Sequence, residues 1–221
     1  SVYAVTGTDN SSLTGTSPNI TTVPGPATKY VVTSSSSTPV AGRPVTITAQ
    51  LADANNNPIA TSGKTVTWSS TNAGSFSSPT SPTNGSGVAT VSFTTSNTVG
   101  TVHTVTATDN TSLTGTSGDI TTQMYFTFTA NTGNNATVGI PLSAEPTIAG
   151  SPLVAGDEIG AFDSTGLCVG AVVWDAAGNA ALTVWGDNDQ TGPVDGIKVG
   201  AKIKYRVWRQ SANTEYPNFL V

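Results

Sequence analysis

The residues with the clearest chemical spacing form the run Asp187-Asn188-Asp189-Gln190-Thr191-Gly192, with Asp195 following. Oxygen-bearing side chains at positions one, three and five, with glycine at six, open a calcium loop. Carboxylates on alternate residues can turn toward one hard cation, and glycine permits the sharp bend. Position twelve departs from that pattern: Lys198 stands where an EF-hand has a bidentate glutamate, and the flanks read as strands rather than helices. Asp187, Asp189, Thr191 and Asp195 are therefore candidate Ca2+ ligands in a β loop, with a solvated acidic turn as the alternative. Asp157, Glu158 and Asp163 form a second acidic group. Paired carboxylates do glycosidase work when a cleft sets their separation. Nothing in the sequence supplies a cleft, so a solvated turn flanking Ile159 and Phe162 is expected. Trp174, Trp185 and Trp208 could form an aromatic platform for a sugar, but each lies in a strand-like run beside apolar residues, where core burial is the default. Cys168, the single cysteine, lies in an apolar run and reads as a small core residue. No residue is assigned a catalytic role, and the chain is not expected to be an enzyme.

The elements that must position these residues are strands. Ser1–Thr22 reads SVYAVTGTDNSSLTGTSPNITT and Thr101–Thr122 reads TVHTVTATDNTSLTGTSGDITT; roughly two-thirds of the positions are identical, without a gap. A repeat of that length sets a unit of about a hundred residues, the size of a β-sandwich domain. His103, the single histidine, falls opposite Tyr3, so it reads as an ordinary strand residue. Each copy has two alternating pieces around Asp-Asn turn chemistry. The first copy is expected to be the closing hairpin of a domain that begins upstream, or a hairpin exchanged with a neighbouring subunit. Residues 23–27, Val-Pro-Gly-Pro-Ala, read as a stiff linker.

From 28 to 122, alternating segments such as Pro44–Leu51, Lys64–Ser69 and Val88–Phe93 are separated by Asn/Gly/Pro turns. About seven such strands predict a sandwich. Composition shifts at Gln123: nine of the thirteen carboxylates follow residue 122. Met124–Ala130 reads as an aromatic strand and Asn131–Thr137 as a turn, with further strands at Gly156–Asp163, Leu167–Trp174, Ala180–Trp185 and Ala201–Trp208. The apolar end Phe219-Leu220-Val221 is expected to continue into a longer chain or to pair with a partner.

Bulk composition narrows the function classes. Charged residues are 10% and the net charge is −5, which leaves no basic surface for nucleic acid. No apolar run approaches the roughly 18 residues of a membrane-spanning helix.

Ala41-Gly42-Arg43-Pro44-Val45-Thr46-Ile47, Leu51–Ile59, Val66-Thr67-Trp68-Ser69 and Gly85-Ser86-Gly87-Val88-Ala89-Thr90-Val91 together resemble a bacterial Ig-like domain of the invasin and intimin type. Trp68 then reads as the core anchor. The pattern GDEIGAFD, CVGAVVW, LTVWGDN and DGIKVGAKIKYRVWR over 123–221 resembles a β-rich module of large secreted proteins of Bacteroidota. The resemblances imply an all-β chain, an Ig-like β-sandwich followed by a second β-sandwich-like domain, exposed outside a bacterial cell. They imply a stalk or filament, with copies of the chain itself as partners. The alternative is a carbohydrate-binding or adhesive module whose partner is a polysaccharide or a cell-surface receptor.

Overall fold

A computed structural model describes residues 2–190 and 192–219. The chain is almost wholly β. Its first strands are β1 (Val2–Tyr3), β2 (Thr6–Thr8), β3 (Thr14–Thr16) and β4 (Ile20–Thr21). Then come β5 (Lys29–Ser34), β6 (Pro44–Ala52), β7 (Thr65–Ser70), β8 (Gly74–Phe76), β9 (Thr80–Pro82) and β10 (Val88–Thr95). The repeated hairpin supplies β11 (Val102–His103), β12 (Val105–Asp109), β13 (Thr114–Thr116) and β14 (Ile120–Thr121). The remaining strands are β15 (Asn135–Ile140), β16 (Thr147–Ile148), β17 (Ser151–Pro152), β18 (Glu158–Phe162), β19 (Cys168–Val173), β20 (Ala180–Trp185), β21 (Lys204–Arg209) and β22 (Thr214–Phe219). Two compact units result. One holds Ser1–Ser37, Val45–Thr94 and His103–Ile120; the other holds Thr38–Pro44, Thr95–Val102 and Thr121–Val221.

In the first unit two four-stranded sheets enclose one core. Their orders are β5-β6-β10-β8 and β13-β12-β7-β9. In immunoglobulin lettering these are A-B-E-D and G-F-C, with β9 added at the edge beside C. Alternation in the sequence explains the faces. Val45, Ile47, Ala49 and Leu51 of β6 point inward, as do Val66 and Trp68 of β7 and Ala89, Val91 and Phe93 of β10. Trp68 Nε1 donates to Ser81 Oγ at 2.8 Å, so the ring is buried without losing its donor.

The hairpin β12–β13 closes this sandwich. Its β12 pairs on one side with β13 and on the other with β7, from Val105 opposite Ser70 to Asp109 opposite Val66. Asp109 is buried at its turn. Oδ1 accepts hydrogen bonds from Thr111 N and Leu113 N, at 2.8 and 3.0 Å, and from Thr111 Oγ1. Oδ2 meets Lys64 Nζ at 3.0 Å and accepts from Tyr30 Oη at 3.3 Å. Burial alone would raise this carboxyl, but the hydrogen bonds from Thr111 and Lys64 outweigh it and hold the pKa at about 2.

In the second unit, β18 is central in the sheet β19-β18-β21-β22. Every residue of β18 is buried, because both faces of the strand are covered. One face carries Ile159 and Ala161 against Val169, Val207 and the β15–β20 ribbon residues Ile140, Leu182 and Val184. The other carries Phe162 against Phe126 and Trp208. Gly160 lies under the Phe126 ring, which a Cβ there would strike at 2.9 Å.

Two expected elements are corrected. Residues 124–130 form no strand, and Asn135, Ala136 and Thr137, expected in the turn, open the strand β15. The first correction has a clear cause: the amides of Tyr125 and Phe126 donate to the Glu158 carboxylate, at 2.8 and 3.0 Å, instead of to a neighbouring strand.

Candidate functional site

The acidic group expected to be a solvated turn is buried in all three members, and each carboxylate is committed to holding backbone. Glu158 receives the two amides just described. Burial raises its pKa, partly offset by those donors. Asp157 accepts Val154 N at Oδ2 (3.0 Å) and Gln210 N at Oδ1 (3.1 Å), with Arg209 Nε 3.4 Å from Oδ2. Asp163 closes a turn by accepting at Oδ1 from the amides of Thr165, Gly166 and Leu167. Among the described residues Asp157 and Glu158 share no hydrogen-bond partner.

The three tryptophans do not meet. Trp174 is buried in the core around Leu182 and Val184, Trp208 is buried with Phe126 and Phe162, and half-buried Trp185 belongs to neither cluster. A sugar platform needs exposed ring faces, which Trp174 and Trp208 do not offer.

The candidate calcium loop is closed by its own hydrogen bonds. Asp195 N donates to Asp187 Oδ1 at 3.1 Å, Asp187 N donates to Ile197 O, and Gln190 Nε2 donates to Asp189 Oδ1 at 3.0 Å. Thr191 lies outside the described residues. Among the described residues no three His, Cys, Asp or Glu side chains converge for a metal ion.

Cys168 is half-buried, and burial raises its thiol pKa. A raised pKa leaves less thiolate, the reactive form. His103 is buried, its Nδ1 3.1 Å from Thr71 O and its ring edge-on to Phe93.

What the sequence did not point to is an aromatic and charged face on the β18 sheet. Tyr125 stacks on Trp208, the ring centroids 4.9 Å apart. Tyr125 Oη donates to Glu215 Oε2 at 3.2 Å, Arg206 Nη1 donates to Glu215 Oε1 at 3.0 Å, and the Arg206 guanidinium lies 4.0 Å from the Phe162 ring centroid. Tyr125 remains 37% exposed. The only sequence signal for this arrangement is a glutamate inside the apolar run Gly156–Phe162, which must find donors somewhere.

A second surface belongs to the first hairpin. Its strands pair as β1–β4 and β2–β3, the latter with Thr6 opposite Thr16 and Thr8 opposite Thr14. Its apolar side chains Val2, Tyr3, Val5, Leu13 and Ile20 are all exposed.

No family model matches the chain, and no curated protein matches it. Several solved structures are similar. The D0–D1 domains of intimin share 17% identity over 80% of this chain and 89% of that chain, with a TM-score of 0.38. The Yersinia pseudotuberculosis adhesin InvE shares 14% over 87% of this chain and 59% of its own, with a TM-score of 0.40. A glycosyl hydrolase family 2 member from Bacteroides cellulosilyticus shares 14% over 50% of this chain, with a TM-score of 0.40. This chain covers only 16% of that hydrolase's length. Likenesses at this level carry neither a partner nor an activity over to this chain.

Proposed function

We propose that this chain is a segment of an extracellular bacterial stalk in which Ig-like modules follow one another in series. What supports the reading is the hairpin that closes the 28–122 sandwich. It occurs twice, a hundred residues apart, with the same turn and register, and a further β module follows each copy. A chain that repeats the closing edge of a sandwich repeats sandwiches, and a proline-bearing connection such as 23–27 stiffens the series. Subunits joined end to end by exchanged strands are the other way to build a fibre. In this chain the place such a strand would enter in the 28–122 sandwich is already filled by residues 101–122. Electron microscopy of the native material tests the reading. Rods of modules in line are expected; compact single particles would end the stalk, and fibres with one chain per axial repeat would favour exchange.

A second reading is polysaccharide binding. It is supported by Tyr125, whose partly exposed ring is edged by Glu215 and Arg206. Titration with polysaccharides, followed by intrinsic fluorescence in the chain and in Tyr125→Ala, tests it. No spectral change in the unaltered chain would end it.

A further inference from the structure

We infer that the exposed hairpin Val2–Thr21 docks into the open half-sandwich of a preceding Ig-like unit of the same polypeptide, built like residues 24–100. The inference rests on the reading of modules in series and names what covers the hairpin.

The second copy supplies the template. Tyr3, Val5 and Ile20 are 56%, 61% and 48% exposed, whereas their counterparts His103, Val105 and Ile120 are 0%, 0% and 1% exposed. The same side chains therefore line the face that meets the core in the seated copy. The edge of β12 that pairs with β7 corresponds to an edge of β2 that has no partner strand among the described residues. Glycine carries a separate signal. A Cβ on Gly115 would lie 2.0 Å from Tyr30 O, so glycine is needed there, while Gly15 has nothing within 4 Å. Gly15 lacks a local reason and acquires one only if a backbone strand equivalent to β5 crosses it.

Asp9 repeats the turn. Its Oδ1 accepts Ser11 N and Leu13 N at 2.8 and 2.9 Å. Among the described residues its Oδ2 has no partner, whereas Asp109 Oδ2 holds Lys64 and Tyr30. The covering unit therefore presents a tyrosine and a lysine placed as Tyr30 and Lys64 are. A second copy of this chain is a poor occupant, because its own residues 101–122 fill the equivalent position and would have to be displaced.

The register permits a direct test. Gly100 precedes Thr101, so placing a duplicate of residues 24–100 immediately ahead of Ser1 keeps the native spacing. Amide exchange across Val5–Asp9 should slow by about tenfold or more. Asp9→Ala should lower the melting temperature of the added unit while leaving that of the unextended chain unchanged. A duplicate of residues 24–122 at the same place shows that the added strands fold with their own hairpin. If that control folds and the 24–100 extension leaves Val5–Asp9 unprotected, the proposal is wrong. If the hairpin of the unextended chain becomes protected as concentration rises, a second copy covers it and the proposal is also wrong. Neither result depends on the rods sought by microscopy, so a stalk survives the loss of this contact.

Discussion

The hairpins 1–22 and 101–122 have the same local structure in two different surroundings. Both turn at a residue with positive φ, Ser12 at 65° and Ser112 at 67°. Both lock the turn with an aspartate Oδ1, and both pair threonine hydroxyls across the strands, Thr6 with Thr16 at 3.0 Å and Thr106 with Thr116 at 2.9 Å. Among the described residues only the second has a core beneath it. Turn chemistry and cross-strand pairs are thus encoded within about twenty residues, whereas burial comes from strands far away in sequence. An isolated hairpin is marginal in water, so the stability of the two copies should differ far more than their shape.

The largest expected effect comes from truncating a shared core residue. Ile120→Ala should destabilise the first unit by about 4 kcal/mol, because a buried isoleucine leaves both lost transfer energy and a cavity. Ile20→Ala should cost less than about 0.5 kcal/mol, as for other exposed sites. Urea unfolding of the two variants makes the comparison, and equal losses would mean that the first hairpin is already packed in solution. Next is Asp109→Ala, expected to cost about 3 kcal/mol because it leaves Lys64 and Tyr30 facing an empty position. Asp9→Ala removes only a turn contact and should leave the melting temperature of the unit unchanged.

The same division between local and distant causes decides what the sequence made legible. Strands β6, β7 and β10 follow from period-two alternation, and their expected limits fall within two residues of the observed ones. The turn at Asn84 is equally local, since its Oδ1 accepts the amides of Ser86 and Val88. The failures are non-local. Met124–Ala130 has the composition of a strand, but the amides of Tyr125 and Phe126 go to a glutamate more than thirty residues away. Asp157, Glu158 and Asp163 look solvated because acidic residues in loops usually are, yet Glu158 is buried on a sheet whose outer face is covered by Tyr125 and Phe126. Composition says which groups are polar; it does not say which distant amides will reach them.

Acid is a gentler way to remove the Asp109 charge, because a protonated carboxyl keeps part of its hydrogen bonding. Its pKa is about 2 in the folded chain against an ordinary 3.8. A lowered carboxyl pKa contributes stability above the ordinary value that is lost as pH falls through the folded value. Asp53 acts in the same direction: hydrogen bonds from Asn57 and from the Gly25 amide hold it at about 2. The first unit should therefore lose stability between about pH 4 and pH 2, and Asp109→Asn should flatten that slope. Glu158 has the opposite sign. Its pKa is raised by burial, so its contribution is present at low pH and fades as pH rises through the folded value. Thermal melts of the parent and of Glu158→Gln carried from below to above the ordinary glutamate value of 4.5 separate the two, because the Asp109 slope lies below that pH and the Glu158 slope above it. A melt of the first unit of the parent with no slope below pH 4 would mean that Asp109 is not held by Lys64 and Thr111 in solution.

The smallest effect is the most discriminating, because the local geometry is matched in both copies. Ser117 Oγ accepts Val105 N at 3.0 Å and donates to Gly118 O; Ser17 Oγ accepts Val5 N at 3.0 Å and donates to Pro18 O. Water can replace the serine at Val5, which is exposed, but not at Val105, which is buried. Ser117→Ala should therefore cost about 1 kcal/mol for one unpartnered buried amide, and Ser17→Ala nothing measurable in the unfolding of the first unit. With a duplicate of residues 24–100 ahead of Ser1, Ser17→Ala should begin to cost as much as Ser117→Ala does, measured on the added unit. The size of that change reads directly how much of the second hairpin's stability comes from the strands that cover it.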